Sequence, residues 1–281
     1  MLTTLTKLKL ARAAYRIVSR ARRMVGRSDI TVVKRGGALF ELDLGEGIDF
    51  AIYLLGAFER STQQTLQQLV RPDHVVFDVG ANIGAHTLAI ARAVGPAGRV
   101  FAFEPTEFAY QKLCRNVSLN PGLQSRVHAR QVMFAAHRSD QLEEEIYARW
   151  PLLPKRAVHP KHQGQMVSTL GAAVDTIDSF FEREQLLRLD LVKLDVDGHE
   201  LPVLEGARDT LRRLRPVLVL ELCPYIHAEF GHRFSNLIDL LSESRYRLFD
   251  ASGSRSLPLD ARALSALIPT RGSINAVAQP L

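Results

Sequence analysis

Cysteine is scarce in this chain. The two present among 281 residues, Cys114 and Cys223, sit inside apolar patterns with no CxxC spacing and no His/Cys cluster beside them, which argues against a disulfide framework and against structural zinc. Such usage suits a reducing cytoplasm. Long apolar runs are missing too. Nothing approaches the roughly 20 consecutive residues that a membrane span needs, and the amino-terminal stretch lacks the apolar core and small-residue cleavage site of a secretory signal. No internal repeat or low-complexity segment occurs. Acids are absent from one region: residues 1–28 hold eight of the 36 Lys and Arg residues and no Asp or Glu. That leaves 28 basic against 30 acidic residues for the remainder, so the net charge of +6 belongs to the tail and the body carries no surplus suited to nucleic acid.

With 46% hydrophobic residues, the chain is able to bury a full core as one large domain with appendages. In the tail, Lys9, Arg12, Arg16, Arg20, Arg23 and Arg27 recur every three or four residues, and Leu10, Ala14, Ile17, Ala21 and Met24 follow the same period on another face. This is the pattern of a basic amphipathic helix over residues 1–28. It suits docking of the stripe on the domain, contact with an anionic membrane, or an organellar transit peptide. Residues 29–70 read as an N-terminal cover, with GGALFELDLGEGIDFAIYLLGAFER (36–60) as short strands broken by glycines and STQQTLQQLV (61–70) as a helix opened by a Ser/Thr cap. From Val75 the patterns alternate. Strands are expected over 75–80, 99–104, 127–134, 189–196, 216–222, 246–250 and 274–279, and helices over 82–94, 107–119, 200–213 and 234–244. The alternation predicts an α/β domain over 71–281, built on a mostly parallel, seven-stranded, Rossmann-like sheet with helices on both faces.

In such sheets ligands bind beyond the carboxyl ends of the strands, and VVFDVGANIGAHTLAIARAVG (75–95) reaches the first of these ends. Gly80 and Gly84 flank a tight strand-to-helix turn, where bare backbone lets a ligand approach. Asp78 before the first glycine gives DxGxxxG in place of the GxGxxG of a dinucleotide fold. An acid there is a poor neighbour for phosphate and a good one for a cation. The second strand ends FAFEP, placing Glu104 about 20 residues beyond the glycines, where a carboxylate accepts hydrogen bonds from ribose hydroxyls. A ribose, a positive centre and no phosphate describe S-adenosyl-L-methionine.

A second cluster lies in LVKLDVDGHE (191–200). Alternation sends Lys193, Asp195 and Asp197 to one side, at the carboxyl edge of the neighbouring strand, and Gly198 turns the chain into the next helix. An acceptor is expected there. Asp195 is the leading candidate for general base or acceptor positioning, and His199 is second because its ordinary pKa lies near operating pH. Lys193 either lowers the acceptor pKa or neutralises the carboxylates, and a structural ion-pair network is the competing reading. Oxygen ligands suit Mg²⁺, but Asp195, Asp197 and Glu200 lack a clear third acid from another element apart from Glu221, so no metal is expected. RWPLLPKRAVHPKHQGQMVSTL (149–170), rich in Pro, His and Lys/Arg, is the expected acceptor lid, with a solvated insertion as the alternative. In it Trp150 offers a flat apolar face, and Lys155, Arg156, His159 and Lys161 suit an acidic acceptor. His159 and His162 have no Cys or acid beside them to complete a metal pair.

FDVGANIG, FEP followed by LCRNVSLN, VKLDVDGHE and VLVLELCP, with the lead-in LLGAFERSTQQTLQQLVRPDH, resemble in order and spacing the FkbM-type methyltransferases, a branch of the class I S-adenosylmethionine-dependent enzymes. The similarity spans roughly residues 50–225. It implies that Asp78, Gly80, Asn82 and Gly84 form the methionine-side loop, that Glu104 holds the ribose, and that Phe134 and Ala135 fall where the adenine is covered. The chain departs from the family pattern at Asp197, where Glu or Gln is commoner. The activity implied is O-methylation of a sugar hydroxyl on a glycan or glycolipid, or of a natural-product scaffold, with S-adenosyl-L-methionine as cofactor. Peripheral membrane contact through residues 1–28 and no nucleic-acid partner complete the expectation. RNA methylation, disfavoured by the near-neutral body and by the absence of an NPPY-like motif, and a non-catalytic cofactor-binding subunit are the alternatives.

Overall fold

The Val75–Val79 strand is buried along its whole length, and its alternate side chains enter two different cores. Val75, Phe77 and Val79 join one cluster with Phe101, Phe103 and Phe180. Val76 joins the other with Val100, Leu88 and Ile90. A strand with both faces covered requires this. The computed structural model describes residues 4–154, 156–161, 163–270 and 272–281, so the expectations placed on Lys155 and His162 lie outside the described residues. Its main sheet has eight strands, in the order Ser256–Leu257, Tyr246–Asp250, Ile274–Pro280, Val217–Leu222, Leu191–Leu194, Val75–Val79, Arg99–Phe103 and Val127–Arg130. The five from Val217–Leu222 to Val127–Arg130 run parallel, and Ile274–Pro280 is antiparallel to both of its neighbours. From Val75–Val79 the chain builds outward to one side, then crosses to Leu191–Leu194 on the other. The carboxyl ends of these two strands therefore flank the switch point at which such sheets bind ligands.

Several sequence expectations need correction. The sheet has eight strands instead of seven because the two-residue Ser256–Leu257 pairs along its edge. The expected 127–134 strand ends at Arg130; Val132–Phe134 leaves the sheet and pairs in parallel with Ala173–Asp175, where the chain returns from its long insertion. The expected 200–213 helix is two helices, Glu200–Glu205 and Arg208–Arg213. Asp178 explains the break, since its carboxylate accepts the Asp209 and Thr210 backbone N–H groups (3.0 and 2.7 Å) and so starts a new helix there. Residues 47–55, read as strand, form the helix Gly47–Leu55; a short apolar run does not distinguish the two by period. The helix Arg60–Leu69 starts from Glu59, held at φ 41°, with no side-chain cap of the kind expected from Ser61 or Thr62. Thr62 instead donates its hydroxyl to Glu59 Oε2 (3.1 Å).

The amino-terminal helix Thr4–Met24 is docked, though not by the expected stripe. Tyr15 meets Phe50 edge-on at 5.8 Å, and the hydroxyls of Tyr15 and Ser19 donate to Asp29 Oδ2 (3.1 and 2.7 Å). Ala11, Ala14 and Val18 pack on the core that also holds Phe40, Leu42, Leu44 and Ile52. Of the predicted stripe only Ala14 takes part, while Leu10, Ile17 and Met24 face outward. Among the described residues no helix is long and apolar enough to cross a membrane. Tyr15→Ala is expected to cost roughly 3 kcal/mol in urea unfolding through lost burial, whereas Ile17→Ala changes stability by no more than about 0.5 kcal/mol. Equal losses would mean that both faces are packed.

Candidate active site

Strand register brings the two sequence clusters together. Asp78 and Lys193 are direct partners across the parallel pair Val75–Val79 and Leu191–Leu194, so both side chains emerge on the same face of the sheet. Lys193 Nζ donates to the Gly80 carbonyl (2.9 Å) and lies 3.3 Å from Asp78 Oδ1 and 3.5 Å from Asp195 Oδ2. The second Asp78 oxygen accepts the Thr87 hydroxyl (2.6 Å). Burial disfavours the ammonium, yet Asp78, Asp195 and Glu59 outweigh it and raise the Lys193 pKa above its ordinary value. Lys193 is thus a permanent cation beneath the turn. Of the two roles read from the sequence, its position allows neutralisation of the carboxylates.

The turn itself is built by close packing. At Gly80 (φ 75°) a Cβ would stand 1.8 Å from the Asp195 carbonyl oxygen, and at Gly84 (φ 87°) one would stand 2.8 Å from Leu113 Cδ1. The Asp195 backbone therefore demands glycine at position 80, and the left-handed backbone favours glycine at both positions. Asn82 (φ 47°) turns its side-chain oxygen to the Ile83 N–H (2.9 Å), while its own N–H donates to Glu104 Oε2 (2.9 Å). Glu104 Oε1 accepts the Thr106 N–H and hydroxyl (3.0 and 2.5 Å). Burial raises the Glu104 pKa, opposed by these hydrogen bonds and by Lys193. Asn82 and Glu104 are thereby locked to each other at the end of the first two strands, while Asp78 is held by Thr87 and Lys193.

On the other side of Lys193, Asp195 follows the end of Leu191–Leu194 and keeps 27% of its side chain exposed. Three further carboxylates surround it. Asp197, in left-handed backbone (φ 48°), is pushed well above the carboxylate range by burial, then by Asp195 and Glu200. Glu221 is raised likewise by burial and by Asp195 and Asp197, and Glu59 by burial and Asp195. Glu59 reaches the site from the N-terminal region, held by Asn275 Nδ2 (3.4 Å) and Thr62. His199 packs on the Phe230 ring at 4.3 Å, lies 3.8 Å from Glu143, and has its pKa lowered by burial. Glu200 turns inward: its Oε1 accepts the Val196 and Gly198 N–H groups (3.2 and 3.3 Å), and its Oε2 lies 3.1 Å from buried His227. It braces the 195–199 loop. Among the described residues no group of three or more His, Cys, Asp or Glu side chains is arranged to hold a metal ion.

The sequence missed Glu59 as a site residue and considered Glu221 only as a metal ligand. Glu221 stands two residues beyond Val219, the register partner of Lys193, so strand alternation was its signal. Glu59 carried none, because its position depends on how the amino-terminal region folds over the sheet edge. Phe134 is core, 4.5 Å from the Phe103 ring and 5.9 Å from Phe180, and the Ala135 N–H donates to the Asp175 carbonyl (2.9 Å). The expected lid is a hairpin, Glu145–Arg149 against Gln165–Ser168, pinned at both ends. Arg149 bonds Glu46 Oε1 (2.6 Å), the Trp150 carbonyl accepts the Gly47 N–H (2.9 Å), and Lys161 pairs with Glu229. Arg156 is exposed.

A five-stranded parallel core with one antiparallel strand beside it, and acids ending its first two strands, is the architecture of class I methyltransferases. The Methyltransferase FkbM domain matches residues 78–248, and the chain belongs to this family of S-adenosylmethionine-dependent enzymes. Hexuronic acid methyltransferase AglP of Haloferax volcanii is 30% identical over 190 residues, covering 66% of this chain and 69% of that protein. Methyltransferase sdnD of Sordaria araneosa is 30% identical over 156 residues, 47% of this chain and 59% of that protein. The crystal structure of methyltransferase FkbM from Methylobacillus flagellatus KT aligns with a TM-score of 0.44 at 17% identity, covering 84% of this chain and 60% of that chain.

The turn fits the family's cofactor. Asp78 Oδ1 is buried with the Lys193 ammonium 3.3 Å away and no other polar partner, and Glu104 Oε2 accepts one hydrogen bond, so both retain acceptor capacity. The surplus of carboxylates over the single buried lysine favours a cationic centre. Glu104→Ala is expected to weaken S-adenosylmethionine binding on the order of 10- to 100-fold, the loss typical of a charge-assisted hydrogen bond. An unchanged dissociation constant by calorimetry would remove Glu104 from the cofactor site.

Proposed function

We propose that this enzyme methylates the hydroxyl oxygen of a sugar, on a glycan, glycolipid or glycosylated natural product, with Asp195 as general base. The observation that carries the proposal is the position of Asp195, whose partly exposed carboxylate lies 3.5 Å from the same ammonium that holds the Gly80 turn at 2.9 Å. One buried cation thus fixes the donor-side turn and the acceptor-side base relative to each other, which an in-line displacement requires. When bound, S-adenosylmethionine supplies an electrophilic methyl carbon. The chain's own tasks are to orient the hydroxyl oxygen toward it and to take up the hydroxyl proton. Asp195 does the second. Lys193 beside it, 3.5 Å from Oδ2, holds the carboxylate in place. Glu59, Asp197 and Glu221 offer further oxygen atoms around the same space, suited to the hydroxyl donors of a sugar ring. The similarity to a hexuronic acid methyltransferase supports a sugar acceptor. Lys161 is paired with Glu229 and Arg149 with Glu46, so neither basic group is free to select an acidic acceptor.

Asp195→Asn preserves shape and removes the proton acceptor. Turnover should fall roughly 100-fold or more while cofactor affinity stays near the wild-type value. His199→Ala in the same assay tests the rival base, because burial keeps that imidazole neutral and able to accept a proton. Methyl transfer is measured in parallel on glycans, glycolipids, small molecules and RNA. Transfer to RNA alone, or full turnover in Asp195→Asn, contradicts the proposal.

A further inference from the structure

The helix Thr4–Met24 has a second face that the fold leaves uncovered. Its inward side carries Ala11, Tyr15, Val18 and Ser19 against the domain. On the outward side Leu10, Ile17 and Met24 repeat at seven-residue intervals and are 59%, 71% and 84% exposed, with exposed Ala13 and Ala21 completing the ridge at helical spacing. Directly beside it runs a basic ridge of Lys9, Arg16 and Arg20, all exposed and without a hydrogen bond or ion pair to any described residue. No acid occurs in residues 1–28, and the first one, Asp29, is taken by the Tyr15 and Ser19 hydroxyls. Three large apolar side chains exposed in one row on a docked helix are left uncovered by the described residues.

We infer that this outward face is a docking surface for an anionic lipid bilayer. The two ridges define the partner. A phosphate polymer would engage Lys9, Arg16 and Arg20 but gains nothing from Leu10, Ile17 and Met24, and a neutral apolar partner leaves the cations unmatched. An anionic bilayer takes both at once, with the basic ridge at the headgroups and the aliphatic ridge inserted at the acyl boundary. Because Tyr15 and Ser19 anchor the opposite side of the same helix, the domain is carried to the surface as a rigid unit. The inference is independent of the acceptor.

Flotation of the full chain with phosphatidylcholine vesicles, with and without phosphatidylglycerol, tests it. Binding is expected only with phosphatidylglycerol, and it should weaken as salt rises. The Lys9→Ala/Arg16→Ala/Arg20→Ala variant should lose affinity on the order of 100-fold. Leu10→Ala/Ile17→Ala/Met24→Ala should lose at least about tenfold. Both variants replace exposed residues with a good helix former, so unfolding midpoints and S-adenosylmethionine affinity should match wild type. No wild-type binding to anionic vesicles, equal binding to neutral ones, or undiminished binding by either folded variant overturns the proposal. Retention by RNA without vesicle binding also overturns it and assigns the basic ridge to nucleic acid.

Discussion

The site depends on one buried ammonium. Lys193 Nζ lies between Asp78, Asp195 and the Gly80 carbonyl, and each contact comes from a different functional element: the first strand, the loop after the neighbouring strand, and the glycine turn. An isolated charge in this position is prohibitively unfavourable, and so are the carboxylates around it. Together they are tolerable, because Asp78 also accepts the Thr87 hydroxyl and Lys193 also donates to a carbonyl. The cost of assembling these charges is met by the apolar packing of the two cores on either side of the sheet. A functional arrangement that is unfavourable by itself is in this way held at a fixed place in a rigid frame.

Backbone geometry reinforces the same link. The approach of the Asp195 carbonyl to Gly80 is so close that no side chain is tolerated there, which fixes the spacing between the glycine turn and the 195–199 loop from the backbone side. Glu200 fixes the loop from beneath through two amide hydrogen bonds and buried His227. Asn82 and Glu104 extend the arrangement to the second strand.

The charged centre was legible in the sequence because its parts sit at fixed offsets. DxGxxxG marks the turn, FEP marks the second strand end, and alternation puts Lys193 and Asp195 on one side of their strand; adjacency of parallel strands then brings Asp78 and Lys193 together. The alternation of strand and helix disclosed the sheet for the same reason. What the sequence hid is what depends on distant chain. Glu59 enters through the path of the amino-terminal region, and the hairpin after Phe134 is shaped by anchors at Glu46, Gly47 and Glu229 whose partners lie far away along the chain. Residues 47–55 were misread because a short apolar run fits either periodicity until its neighbours choose one. Phe134, which the family resemblance places where the adenine is covered, follows a strand that leaves the sheet, and its ring packs in the core.

The central claim is that the Lys193 charge, and not merely its bulk, holds the Gly80 turn and the Asp195 loop together. Unfolding of Lys193→Met in urea, at neutral pH and at about pH 5, tests it most directly. Removing the ammonium leaves Asp78, Asp195 and Glu59 uncompensated, and at neutral pH the variant should lose roughly 3 to 5 kcal/mol. Uncompensated buried carboxylates have folded-state pKa values above their unfolded ones, so the native variant binds more protons than its unfolded chain and regains stability as pH falls. The deficit relative to wild type should therefore be largest at neutral pH and clearly smaller at about pH 5. A deficit below about 1 kcal/mol, or one that is the same at both pH values, contradicts the account.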